Sequence, residues 1–86
     1  AHNATVPLEI LRTLADDADP KVRMTVAMSS TCDEALFEKL ATDEDPSVRL
    51  CVAYNEKASR VVLETLAKDR WERVVGVALG RLEPQT

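Results

Sequence analysis

Aromatic residues are nearly absent, with one Trp, one Tyr and one Phe making up 3% of an 86-residue chain. A core without large rings must be filled by aliphatic side chains, and most of the 45% hydrophobic content is Leu, Val and Ala. Glycine is equally scarce, at two residues. That palette favours closely packed helices over a β-sandwich. An excess of positive charge is also missing: 11 Lys and Arg stand against 15 Asp and Glu, for a net charge of −4. Nucleic-acid binders usually carry a basic face or a high pI, so the balance argues against a general DNA or RNA binder. No apolar run approaches the roughly 20 residues of a membrane span, and nothing resembles a signal peptide. The expectation is a cytoplasmic chain of one domain, near the lower size limit for a self-sufficient core.

Residues that carry chemistry are few. Cys32 and Cys51 lie 19 positions apart with no CxxC spacing. A disulfide framework or a zinc site wants more ligands at closer intervals, so both read as ordinary buried thiols. His2 is the single histidine, and no Ser, Cys or carboxylate stands at a spacing that makes it a catalytic or metal-binding group. There is no Gly-rich phosphate loop, no HExxH pair and no nucleophile elbow. Neither an enzyme, a metal nor a cofactor is expected.

What is present is a repeat. Residues 14–39, LADDADPKVRMTVAMSSTCDEALFEK, align with residues 40–65, LATDEDPSVRLCVAYNEKASRVVLET, and ten of the 26 columns are identical. A third, degenerate copy opens at Leu66 and occupies residues 66–86. Residues 1–13 read as a partial first repeat, since Ala1-His2-Asn3 falls under Ala27-Met28-Ser29 and Ala53-Tyr54-Asn55. The expectation is either a segment of a longer array or a trimmed N-terminal cap.

Each repeat encodes two helices. The first is expected from about Val6 to Asp16, with Thr5 as cap and Pro7 in the first turn. Its apolar positions Ile10, Leu11, Leu14 and Ala15 recur as Leu36, Phe37, Leu40 and Ala41, and again as Val62, Leu63, Leu66 and Ala67. That i, i+1, i+4, i+5 spacing is one stripe at helical period. The opposite face, carrying residues such as Glu9, Arg12, Glu38, Lys39, Glu64 and Lys68, is polar in every copy, with Ala35 and Val61 as mild exceptions. The second helix opens at Asp19-Pro20 and Asp45-Pro46, an N-cap followed by proline at the first helical position. Val22 and Val26, then Val48 and Val52, are its expected core contacts. It fades at Ser29 and Asn55 and is too short to be stable alone. Stacked copies bury what one pair cannot, so the expected fold is all-α, a short right-handed α–α superhelix of about three helix-pair repeats.

The pattern LAxDxDPxVRxxVA, carried by Leu14–Ala27 and Leu40–Ala53, resembles the leucine-rich repeat variant family. The resemblance implies an all-helical, armadillo-like superhelix and covers nearly the whole chain. The DPxVR element is also similar to HEAT repeats, whose period is longer than 26 residues. Some members of the variant family hold an iron–sulfur cluster, which needs about four thiolates. Cys32 and Cys51 occupy non-equivalent repeat positions, so no such cofactor is carried over.

Two sets of residues bear on function. Arg23 and Arg49 are equivalent, with Asp17, Asp19, Asp43 and Asp45 just upstream. They read as a structural ladder, Asp19, Arg23, Asp45 and Arg49, linking successive repeats, and alternatively as a basic ladder for an acidic ligand. On the second helix, Met24 and Met28 lie nearly opposite the core valines, and the next repeat puts Leu50 and Tyr54 there. An apolar stripe on a face that should be exposed marks a partner-binding surface or a face covered by neighbouring repeats. Trp71 replaces the capping Asp in the third copy and reads as a packing residue. The leading expectation is a non-catalytic scaffold that binds another protein. Nucleic-acid binding through Lys21, Arg23, Arg49 and Arg73, a purely structural role, and self-association through the ends of the stack are the alternatives.

Overall fold

The structure, a computed structural model, describes residues 7–83. The chain is all-α, with six helices and no strand among the described residues. In chain order they are α1 (Leu8–Leu14), α2 (Pro20–Ala27), α3 (Glu34–Ala41), α4 (Pro46–Tyr54), α5 (Arg60–Leu66) and α6 (Glu72–Leu82). No helix is long and apolar enough to cross a membrane, again among the described residues.

Local chemistry sets the helix starts. The Asp19 and Asp45 carboxylates accept the backbone N–H of Lys21 and Ser47, at 2.9 and 2.8 Å, directly ahead of Pro20 and Pro46. Asp33 and Ser59 cap α3 and α5 through the N–H of Leu36 and Val62. These bonds satisfy donors that an α-helix leaves unpaired in its first turn. A second device precedes each of α2, α4 and α6. The side chains of Asp17, Asp43 and Asp69 accept the N–H of Asp19, Asp45 and Trp71 at 2.8–2.9 Å, tightening the turn. Trp71 therefore stands in the N-cap position of α6 without supplying a side-chain cap, half-buried against the core instead. The first helix is shorter than its periodicity implied, ending at Leu14, and the expected cap Thr5 lies outside the described residues.

Helices pair as α1 with α2, α3 with α4 and α5 with α6. Across the pairs α2 packs on α4, α4 on α6, and α3 on α5. The core runs between the two rows: Leu11, Leu36, Phe37, Leu40, Val62, Leu63 and Leu66 from one, Val26, Val48, Val52, Val74 and Ala78 from the other. Each fully buried Val or Leu contributes about 1.5–3 kcal/mol, which offsets the poor intrinsic stability of helices of two to three turns. Val22, expected in the core, is only half-buried, whereas its equivalents Val48 and Val74 are fully enclosed. It lies on α2, where no earlier pair among the described residues covers it. The polar faces of α1, α3 and α5 are exposed as their sequence implied, and Val61 on the α5 face is exposed with them.

Candidate functional site

The expected stripe Met24, Met28, Leu50 and Tyr54 divides in two. Met24 and Leu50 are half-buried and pack against the core. Met28 and Tyr54 are each 60% exposed. The split follows position along the helix: the first member of each pair is covered by neighbouring helices, while the second sits where α2 and α4 end. Met28 and Tyr54 line one pocket of ≈ 340 Å³ together with Cys51, and Ser30, Asn55, Glu56 and Lys57 supply its polar lining.

Two hydrogen-bonded clamps hold this surface, and sequence reasoning singled out neither. The Asn55 side chain is buried, and its Nδ2 donates to the carbonyls of Ala27 at 2.8 Å and Ser29 at 3.0 Å. Those two carbonyls flank Met28. One repeat later, Arg81 Nη1 donates to the carbonyls of Ala53 and Asn55, at 3.0 and 3.1 Å, which flank Tyr54. Each exposed apolar side chain is thus fixed at its backbone by a polar side chain 27 positions downstream. The carbonyls at a helix C-terminus have no intrahelical partner, so a side chain reaching back from the next pair satisfies them. Asn55 and Arg81 occupy the same repeat column, as does Ser29. Their differing identity hides the shared role, and only the coincidence of column with helix end would have exposed it.

Arg23 and Arg49 do not point to solvent. Arg23 donates through Nε and Nη2 to the two carboxylate oxygens of Asp43, at 2.7 and 3.0 Å. Arg49 does the same to Asp69, at 2.7 and 3.2 Å. Their Nη1 groups bond back to the carbonyls of Asp17 and Asp43, both at 2.7 Å. Both pairs are about nine-tenths buried. The acids of this ladder are Asp43 and Asp69; Asp19 and Asp45, the partners expected from sequence, are turned onto the helix N-termini as caps. Burial alone would push the Asp43 carboxyl up. Hydrogen bonds from Arg23 and the Asp45 N–H, with the charges of Arg23 and Arg49, outweigh it and hold the group below the usual carboxylate range. The Asp43 hydrogen bond raises the Arg23 guanidinium. Two open clefts of ≈ 510 and ≈ 610 Å³ recur beside these pairs, but the guanidinium in each is already engaged. Of the four cations considered for a nucleic acid, only Lys21 and Arg73 remain exposed.

Cys32 is buried and its thiol is pushed up to about 11, by burial first and by the Asp33 charge second. Cys51 is also raised, by burial and by Asp45. Both cysteines are free. Among the described residues no group of three or more His, Cys, Asp or Glu side chains is disposed to hold a metal ion. His2 lies outside the described residues. Comparison of the chain with protein-family models, with curated proteins and with solved structures finds no match.

Proposed function

We propose that this chain is a non-catalytic helical-repeat scaffold, built as a short right-handed stack of leucine-rich-repeat-variant-like helix pairs, that binds another protein through the surface around Met28 and Tyr54. One observation carries the reading. Two large apolar side chains, 26 positions apart, are each 60% exposed beside one pocket, with their backbones clamped by Asn55 and Arg81. Exposed apolar groups held on a rigid support lose little freedom when a partner covers them, which is what a docking surface requires. A Met and a Tyr suit the task, one adaptable and one amphipathic. The polar residues Ser30, Glu56 and Lys57 supply the rim that such sites use for specificity.

Peptides selected from a random display library against the folded chain give the test. Selected ligands are expected to carry apolar anchors and to lose at least about tenfold in affinity, about 1.4 kcal/mol, against Met28→Lys/Tyr54→Lys. Far-UV circular dichroism of that variant should match the parent, because neither side chain is part of the core. Ligands that bind the double variant as tightly as the parent would place the docking surface elsewhere. Leu50 is unsuited to the test, since its substitution also disturbs packing.

A further inference from the structure

We propose that the end of the stack formed by α1 and α2 is a docking face for one more helix pair, whose inner helix presents an arginine to Asp17. The occupant's chemistry follows from the two internal junctions. At each, an arginine on one inner helix reaches the carboxylate that precedes the next: Arg23 to Asp43, and Arg49 to Asp69. Asp17 occupies the same column and makes the same turn, accepting the Asp19 N–H at 2.8 Å. Its side chain is exposed, and no cation among the described residues reaches it.

The apolar positions of that end tell the same story. Ile10 is 49% exposed, while its equivalents Leu36 and Val62 are 4% and 1% exposed. Leu14 and Val22 are half-buried, while Leu40, Leu66, Val48 and Val74 are fully enclosed. The face matches the internal junctions but has no covering pair among the described residues, and a carboxylate without a guanidinium partner marks where the arginine goes. The opposite end differs. Val75 stands in the arginine column, and Leu79, 48% exposed, replaces the small, fully buried Ala27 and Ala53. Two unmodified copies therefore do not complement each other end to end, and the fitting partner is a repeat of the Arg23 type. This inference rests on the helix-repeat reading above and is independent of what binds at Met28 and Tyr54.

Two variants test it, both in the full chain. In the first, residues 7–26 are duplicated ahead of Ala1, which keeps the 26-residue register and places an arginine opposite Asp17. The extended chain is expected to unfold in one transition at higher urea than the parent. Asp17→Asn should lower that midpoint markedly while leaving the parent's nearly unchanged. An unchanged midpoint on extension, or an equal effect of Asp17→Asn in both chains, overturns the proposal. In the second, Val75→Arg/Leu79→Ala gives the far end the missing donor and the small residue. Sedimentation equilibrium should then show head-to-tail association, weakened by at least about thirtyfold when Asp17→Asn is added. Association of the parent chain that ignores Asp17→Asn, or a folded but monomeric Val75→Arg/Leu79→Ala, also counts against it. Adding Met28→Lys/Tyr54→Lys should alter neither result, which separates failure here from failure of the binding-surface reading.

Discussion

Arg23 and Asp43 meet as a two-bond pair, Nε to Oδ2 at 2.7 Å and Nη2 to Oδ1 at 3.0 Å, across the boundary between two sequence repeats. Arg49 and Asp69 repeat the arrangement one period on. Because both partners are almost fully enclosed, neither group can turn to water when the other is lost. Removing one partner of such a pair costs about 3–5 kcal/mol, whereas replacing both with apolar groups is often close to neutral. Arg49→Met is therefore expected to lower the unfolding free energy in urea by about that amount. The double variant Arg49→Met/Asp69→Leu should recover part of the loss, the remainder reflecting the Trp71 N–H and the Asp43 carbonyl, which lose their side-chain partners.

The same pair sets an acid limit. An aspartate in an unfolded chain titrates near 3.9, and Asp43 is held below that when folded. Its contribution is thus fully present above about pH 4 and is lost as pH falls through the folded value. Stability measured by thermal unfolding should drop with acidification below about pH 4. In an Asp43→Asn variant, already weaker at neutral pH, the slope in that window should be shallower.

Gly76 and Gly80 lie inside α6, without positive φ, and a methyl group added at either meets nothing within 4 Å beyond the backbone of its own helix and its chain neighbours. Neither glycine is required by packing within the chain. Gly76→Ala and Gly80→Ala are each expected to stabilise the fold by about 0.8–1.0 kcal/mol, read from the urea midpoint at constant m-value.

Thiol chemistry offers an independent check on packing around Cys32. Burial holds the thiol at about 11, so almost no thiolate is present at neutral pH. Alkylation by iodoacetamide at pH 7.5 should be slow for Cys32 in the folded chain and should accelerate sharply in urea. Equal rates in the two states would mean that the region opens readily.

Much of this was legible without coordinates, for reasons specific to each feature. The Asp-Pro helix starts are local: the cap and the proline act within one turn, and α2 and α4 begin there. The Leu36, Phe37, Leu40 and Ala41 stripe is buried because its spacing matches a helical turn. The stripe of Met24, Met28, Leu50 and Tyr54 was visible as a stripe, but not as one half packed and one half exposed. That division depends on where each helix ends relative to its neighbours. The clamps by Asn55 and Arg81 join residues 26 to 28 positions apart through dissimilar side chains, so no pattern in the letters displays them.

The sequence by itself determined the period, the helical class and the polarity of each face, since these follow from spacing and from capping within a few residues. Only the tertiary structure decided which acid each arginine holds. Asp19 and Asp45 lie four positions before Arg23 and Arg49, near enough along a helix to pair. Their carboxylates are instead spent on backbone donors of the first turn, and each guanidinium reaches across to an acid 20 positions away. Unpaired N–H groups at a helix start compete for the nearest oxygen, so the arginine finds its partner ahead of the next helix pair's second helix. That partner's place is set by how the helices pack against one another.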